Sequence, residues 1–433
     1  MFKKITLKNY RTHKSTTLEL QPITLLIGNN NSGKTNFLSG IQHFSELIIQ
    51  LNDYRPAQAK DYFPHRYCLA NDDAPMSIEI EWSKNNNFVR YYMELYPNKK
   101  FKNNIGCKEK CEFRFNHSNS LQTLTSGYDP ESNLLEIHSR LYHGHLESLE
   151  PEDQDVLKLF FHDFQNTFSY HLQPSFLKDF FIEEEKNEII DIHKNISRPP
   201  RPIILKSTQL KLTSSFSCLD YEGKNLQNII YYIKTKNERV FSRFLALMRR
   251  FANNQNFQGI RYDEENSKLL WQFDLGRTTT DLLVDEFPPE VLSDGLLKAA
   301  AIALLVSLET SPALILMEEI ENGINPGNIQ ELMRWIWQAT APNQKDISHQ
   351  FILTSYSPSV LREFHKNLDS VYTFRLNKRT YQSDVRNLNQ ALDTLIGIGA
   401  VEGEIIEDEA TGKRLVEIPQ YQLAELWYSG TIG

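Results

Sequence analysis

Residues Thr24 to Leu38 read TLLIGNNNSGKTNFL: an apolar run, a glycine, three asparagines, Ser-Gly-Lys-Thr, and a return to apolar residues. Ile23 to Ile27 has the composition of a short buried strand, and from Asn36 the pattern turns helical. Gly28 to Thr35 is therefore a strand-to-helix loop of the form G-x-x-x-x-G-K-[ST]. Such a loop curls backbone N–H groups around a phosphate. Gly28 and Gly33 can take the positive-φ conformations the curl needs, and Asn29, Asn30 and Asn31 tolerate the left-handed region better than most residues. With Ser32 and Asn36 they form a cradle that opens onto a helix N-terminus, whose unpaired N–H groups favour an anion. Lys34 is placed to reach the β- and γ-phosphates of a nucleotide, and the Thr35 hydroxyl to bind Mg²⁺.

The 433 residues around this loop carry a formal net charge of −8 and a hydrophobic fraction of 40%, with 25 Phe and 19 Tyr. That is length for two or three lobes and ample material for packed interiors. No apolar run approaches the roughly 20 residues needed to cross a bilayer, and the opening MFKKITLKNYR alternates like a strand, unlike a signal peptide. A soluble, cytoplasmic chain with no membrane partner is expected. Its acid excess excludes a generally basic surface, so nucleic acid would need a local patch. The four cysteines make no disulfide framework, in keeping with a reducing compartment.

Residues 2 to 10 and 16 to 20 read as a hairpin feeding the loop strand, with Asn36 to Asn52 as the helix that follows. Met76 to Trp82 and Phe88 to Tyr96 alternate around Lys84-Asn85-Asn86-Asn87, a hairpin signal. From 97 to 205 the composition shifts, with an acidic helical stretch from Asp153 to about Lys194 and a stiff Arg198-Pro-Pro-Arg-Pro202 linker. Asn225 to Phe251 reads as one amphipathic helix, followed by short strands near 259–263 and 268–274. The resulting division is 1–96 as an N-terminal lobe with the phosphate loop, 97–205 as an insertion or lid, and 206–433 as a helical lobe plus a C-terminal lobe.

Nucleotide hydrolysis also needs a carboxylate for the metal ion and another to orient or deprotonate the attacking water. Ala313-Leu-Ile-Leu-Met-Glu-Glu319 places two acids at the end of a buried strand, and open α/β sheets bind ligands at the carboxyl ends of their strands. Glu318 is the candidate for Mg²⁺ and Glu319 for the lytic water. Upstream, Val291-Leu-Ser-Asp-Gly-Leu-Leu-Lys298 precedes the Ala-rich helix Ala299 to Leu308. Ser293 can cap that helix, leaving a second anion site at its N-terminus. Each motif alone has a plainer account, an acidic loop or an ordinary cap. Their order along the chain does not.

With these pieces the sequence resembles the ABC-type ATPases of the SMC, Rad50 and RecF kind. More closely it resembles the compact AAA-family ATPases related to the ATPase half of overcoming-lysogenization-defect proteins. The matching stretches are Leu7-Lys8-Asn9-Tyr10-Arg11, the phosphate loop, Leu292-Ser-Asp-Gly295 as signature motif, Leu316-Met-Glu-Glu-Ile-Glu-Asn-Gly-Ile-Asn-Pro326, and Ile352-Leu-Thr-Ser-Tyr-Ser-Pro358. The resemblance implies an α/β fold: a P-loop ABC-type ATPase head with a mixed central sheet, an antiparallel β lobe and a largely helical insertion. It further implies ATP and Mg²⁺ as cofactors and a homodimer, or a higher oligomer, in which each nucleotide is sandwiched between one head's phosphate loop and the other head's Ser293 and Gly295.

Two features depart from that family's pattern. Its histidine before the last Ser-Pro, which contacts the γ-phosphate, is Tyr356 here, and a phenol cannot imitate an imidazole's charge near neutral pH. Slow hydrolysis is expected. Its Glu-Pro-Glu is Glu319-Ile320-Glu321, and its glutamine loop has only Gln50 and Gln58 as candidates. Cys107-x-x-x-Cys111 with His117 lacks the second matched pair of a zinc site, and His138, His143 and His145 read as loop histidines. Lys234, Lys236, Arg239, Arg243, Arg249 and Arg250 decorate the amphipathic helix, as a solvated face or a grip on DNA phosphates. The segment after 375 is too short for a nuclease and carries no Asp-x-Asp cluster. Two roles follow: an ATP-driven switch working with a separately encoded effector, as in bacterial anti-phage defence, or a DNA-binding repair ATPase.

Overall fold

The structure is a computed structural model. It describes residues 1–52, 63–71, 74–97, 105–115, 121–125, 137, 141, 149–179, 218–252, 256–266, 268–276, 284–308, 312–341, 349–407 and 412–432. The chain folds as two units: Met1–Ser169, Pro312–Met317 and Gln350–Gly433 form the first, and Tyr170–Ser311 with Glu318–His349 the second.

The first unit is built on two six-stranded sheets. One is antiparallel and joins β1 (Phe2–Tyr10), β2 (His13–Glu19), β4 (Met76–Lys84), β5 (Asn87–Pro97), β6 (Ile105–Arg114) and β7 (Gln122–Thr125) in the order β2-β1-β4-β5-β6-β7. The β4–β5 hairpin closes where the alternation ends: Asn85 and Asn86 both take positive φ, 50° and 64°, the two-residue turn that matches strand twist. The other sheet is mixed and central. It joins β3 (Ile23–Gly28), β8 (Thr167–Tyr170), β12 (Leu314–Met317), β13 (Gln350–Ser355), β14 (Val371–Asn377) and β15 (Gln382–Asn387) in the order β15-β14-β3-β13-β12-β8.

Strands β14, β3, β13 and β12 run parallel, so their carboxyl ends share one edge of the sheet. Helix α1 (Lys34–Asn52) touches both sheets. Its Phe37, Leu38, Ile41, Phe44, Leu47 and Ile48 recur at helical spacing and are buried. Helix α2 (Pro151–Gln165) adds Phe160, Phe161 and Phe164 to the same core, and its Asp163 accepts a hydrogen bond from the Trp82 indole at 3.0 Å.

In the second unit, α3 (Leu226–Lys236) and α4 (Glu238–Phe251) precede a three-stranded antiparallel sheet of β9 (Phe257–Asp263), β10 (Lys268–Phe273) and β11 (Asp285–Phe287). Helices α5 (Asp294–Ser307) and α6 (Ile329–Thr340) follow. Every residue of α5 from Leu296 to Ser307 is buried, which makes it the central helix of this unit. The first unit closes with α7 (Pro358–Arg362), α8 (Leu388–Gly397), the hairpin β16 (Glu404–Glu407) and β17 (Arg414–Glu417), and α9 (Gln420–Tyr428).

Two expectations about local structure change. The amphipathic run from Asn225 is two helices. Asn237 leaves the helix at φ −143°, and its side chain accepts from the Val240 N–H, capping the second helix as Asn prefers to do. The acidic stretch from Asp153 is helical only to Gln165 and turns to strand at Thr167, where it joins the central sheet. Residues 180–194 of that stretch and the Arg198–Pro202 linker lie outside the described residues, as do His117, His138, His143, His145 and Gln58.

Candidate functional site

The phosphate loop sits at the carboxyl end of β3, in the middle of the central sheet. Gly28 stands at φ 145°, Gly33 at 104° and Asn31 at 63°. A Cβ on Gly28 would run into the Phe374 carbonyl oxygen, and one on Gly33 into the Ser383 hydroxyl. Only glycine fits either place. The Lys34 side chain is 3% exposed and turns back into the loop. Its ammonium donates to the carbonyls of Gly28 at 2.6 Å and Asn29 at 3.0 Å. Tyr356, one residue past β13, lays its ring under the same ammonium at 4.0 Å from the centroid.

Residues that sequence reasoning passed over hold the loop in shape. His13 is buried; its Nε2–H donates to the Gly33 carbonyl at 3.0 Å, and its Nδ1 accepts from Thr16 at 2.9 Å. Burial pushes the His13 pKa down to about 4, against the pull of the Gly33 carbonyl. From β15, the Ser383 hydroxyl donates to the Ser32 carbonyl at 2.7 Å. Arg11 donates to the Asn36 side chain at 3.1 Å, which in turn donates to Thr12. Arg11 belonged to the quoted opening motif, whereas nothing in the sequence singled out Ser383.

Glu318 and Glu319 follow β12 directly and are the first residues of the second unit's second segment. Glu318 is half-buried, and its N–H donates to the Tyr170 carbonyl at 3.0 Å. Glu319 adopts φ 48°, the left-handed region that non-glycine residues seldom occupy. The buried Lys298 ammonium of α5 donates to its main-chain carbonyl at 2.6 Å. Burial draws the Lys298 pKa down to about 8, and the carboxylates of Glu321 and Glu319 oppose that shift.

The signature residues stand at the N-terminus of α5. Ser293 is the cap, its hydroxyl accepting from the Leu296 N–H at 3.4 Å. Gly295 packs so closely on the Gly323 carbonyl that any Cβ would collide with it. Asp294 pairs with Lys178 at 3.3 Å.

Gln173 leaves the end of β8, the strand next to β12, and lies three residues past Tyr170, whose carbonyl receives the Glu318 N–H. Gln50, one candidate for a glutamine loop, lies within α1. The segment that follows is tied down by Gln227, whose amide donates to the Leu177 carbonyl at 2.9 Å.

The donor set fits a nucleotide and its metal. In the first unit a glycine-shaped cradle surrounds a lysine ammonium beside the exposed Thr35 hydroxyl, an oxygen ligand of the kind Mg²⁺ takes. The other clusters are plainer. Cys107 and Cys111 lie on β6, and burial raises both thiol pKa values. Lys236, Arg239, Arg243, Arg249 and Arg250 are exposed on two helices, and Arg249 donates to the Gln258 carbonyl. Among the described residues no helix is long and apolar enough to cross a membrane.

The family described as AAA domain, putative AbiEii toxin, Type IV TA system matches residues 23–362. Comparison by sequence with curated proteins gives no match. Among solved structures, the chain is similar to the SMC head domain from Thermotoga maritima at 12% identity and a TM-score of 0.41, over 89% of this chain and 98% of that one. It is similar to an SMC head bound to the C-winged helix domain of ScpA at 13% identity and a TM-score of 0.47, over 90% and 99%. It is also similar to an SMC head with an extended coiled coil, bound to the C-terminal domain of ScpA derived from Pyrococcus furiosus, at 13% identity and a TM-score of 0.40, over 92% and 99%.

Proposed function

The chain belongs to this AAA-domain ATPase family, whose match spans residues 23–362, and from that premise we propose that it binds and hydrolyses ATP as a nucleotide-driven switch. The observation that carries the reading is the enclosed Lys34 ammonium, held by loop carbonyls at the carboxyl edge of the parallel strands of the central sheet. Lys34 and the N–H groups of Gly28 to Asn36 bind the phosphates. Thr35 and Glu318 would hold Mg²⁺, which when bound screens the phosphate oxygens. Glu319 orients the attacking water and takes its proton, and Gln173 occupies the glutamine-loop position.

Two copies close head to head, with Ser293 and Gly295 of each reaching the nucleotide of the other. Loss of the shared phosphate then opens the interface. In its biological setting the switch works with a separately encoded effector in bacterial anti-phage defence. The toxin–antitoxin wording of the family description supports a defence role of this kind. The exposed Lys236 of α3 and the exposed arginines of α4 support a second reading, a DNA-binding repair ATPase.

Glu319→Gln tests the first reading. The amide keeps the shape and loses the basicity, so the variant should bind ATP, turn it over poorly and accumulate dimer, read by light scattering after size exclusion. Normal turnover by the variant would remove Glu319 from its role and bring Glu318 or Glu321 forward.

A further inference from the structure

Lys298 is the only charged residue between Leu296 and Ser307 of α5, and it is 1% exposed. Burying an ammonium on an apolar helix is strongly unfavourable unless it is well partnered. Its partner is a main-chain atom, the Glu319 carbonyl, at 2.6 Å. The same carbonyl accepts the Asn322 N–H at 3.0 Å, so it is fixed from two sides. Glu319 meanwhile holds φ 48°, a conformation unfavourable for a non-glycine residue and kept only where the surroundings over-determine it. On the same helix stand Ser293 and Gly295, less than two turns from Lys298, and the close approach of Gly295 to Gly323 locks the helix start against the turn that Glu319 begins.

We infer that Lys298 is a positioning residue: it ties the Glu319 carbonyl to the helix that carries Ser293, fixes the backbone from which the Glu319 carboxylate is aimed, and makes that aim follow the signature helix. The inference rests on the ATPase reading above. Its consequence is a link between sites. Ser293 engages the nucleotide of a second copy, and the rigid stretch from Ser293 to Lys298, about 7.5 Å of helix, reports that engagement to the acid of its own chain. Of the charges nearby, the carboxylates of Glu321 and of Glu319 itself also draw the ammonium toward the turn that Glu319 begins, and the others are engaged elsewhere or exposed. Asp294 is paired with Lys178, Glu331 of α6 accepts from Arg334 and Trp335, and the arginines of α4 are exposed.

A double-mutant cycle tests it, read with ATP affinity, thermal melting and single-turnover hydrolysis. Lys298→Met keeps the length and burial of the side chain and removes the donor. ATP affinity should stay within about threefold and hydrolysis fall at least about tenfold; added to Glu319→Gln, the change should cost less than about twofold more, because the residue acts only through Glu319. Hydrolysis by Lys298→Met near the parent rate overturns the inference, and so do equal losses in both backgrounds. If Lys298→Met shows no cooperative melt, Lys298→Gln takes its place with the same expected loss, since its shorter amide falls short of the carbonyl. Parent turnover that does not depend on Lys34 removes the ATPase reading and this inference with it, whereas Lys34-dependent turnover with a silent Lys298→Met removes the inference alone.

Discussion

The Lys34 ammonium lies 4.0 Å from the centre of the Tyr356 ring. Tyr356 stands where the sequence resemblance implies a histidine, and here it offers the phosphate-loop lysine an aromatic face. A cation over a ring is worth about 0.5–2 kcal/mol, depending on how dry the site is. Tyr356→Phe keeps the face and should leave ATP affinity within about threefold, while Tyr356→Ala, which removes it, should weaken binding by about 2- to 30-fold. A fluorescent-ATP titration separates them. Equal losses in both variants would shift the role from the ring to the hydroxyl. Tyr356→His should raise turnover, because an imidazole can carry charge near neutral pH.

Lys34→Ala removes the charge that the proposed ATPase sets against the β- and γ-phosphates. ATP-analogue affinity should drop by at least about tenfold, given the strength of charge-assisted hydrogen bonds. Since Lys34 also donates to the Gly28 and Asn29 carbonyls, the loop itself loses a clasp, so magnesium-free ATP should lose affinity too. An unchanged titration contradicts the assignment of the loop.

His13 makes the loop sensitive to acid. Its folded-state pKa is lowered from 6.5 to about 4, mainly by burial. The unfolded chain therefore binds the proton first, so the stability that neutral His13 contributes is full above pH 6.5 and is lost as pH falls toward 4. Between pH 7 and pH 5 the loss from this residue is about 2 kcal/mol. Urea unfolding at the two pH values should show that much less pH dependence in His13→Gln than in the parent. His43, whose pKa burial lowers to about 3, acts with the same sign and remains in the variant. Identical pH dependence in both proteins contradicts the placement of His13.

The exposed arginines give the repair reading its own test. If the face of α3 and α4 grips DNA, affinity should fall steeply with salt, because each neutralised phosphate releases counterions. Arg249→Glu with Arg250→Glu should then abolish a gel shift seen at low salt. The switch reading expects weak binding that the double change leaves unaltered. Tight, salt-sensitive binding lost in the variant favours the repair ATPase.

The phosphate loop and the hairpin turns were legible because their causes are local. Glycine spacing decides Gly28 and Gly33, and two asparagines decide the β4–β5 turn. Ser293 was legible as a cap for the same reason. What stayed hidden depends on chain distant in sequence. Ser383 reaches the Ser32 carbonyl across 351 positions, and no local pattern announces it. The strand that precedes Gln173 was hidden because β8 spans only Thr167–Tyr170, too short to interrupt a helical reading of the acidic stretch. Lys298 only closed the stretch before the Ala-rich run, and the carbonyl it meets is revealed by the packing of α5 alone. The break at Asn237 was readable in principle, since Asn is a favoured cap, yet the amphipathic pattern runs unbroken across it.

The account turns on Ser293 working in trans. The chain already supplies a full phosphate cradle at Gly28 to Thr35, so a second anion site at the start of α5 serves a second copy most economically, in an isologous dimer with two identical sites. Ser293→Arg and Lys34→Ala each inactivate both sites of a homodimer. Mixed together they form heterodimers in which one site carries both lesions and the other carries none. The direct measurement is ATP turnover by the mixture at a fixed total concentration. Turnover that returns on mixing, in proportion to the heterodimer formed, is the result predicted; a mixture as inactive as its components, with heterodimer demonstrably present, contradicts the shared site.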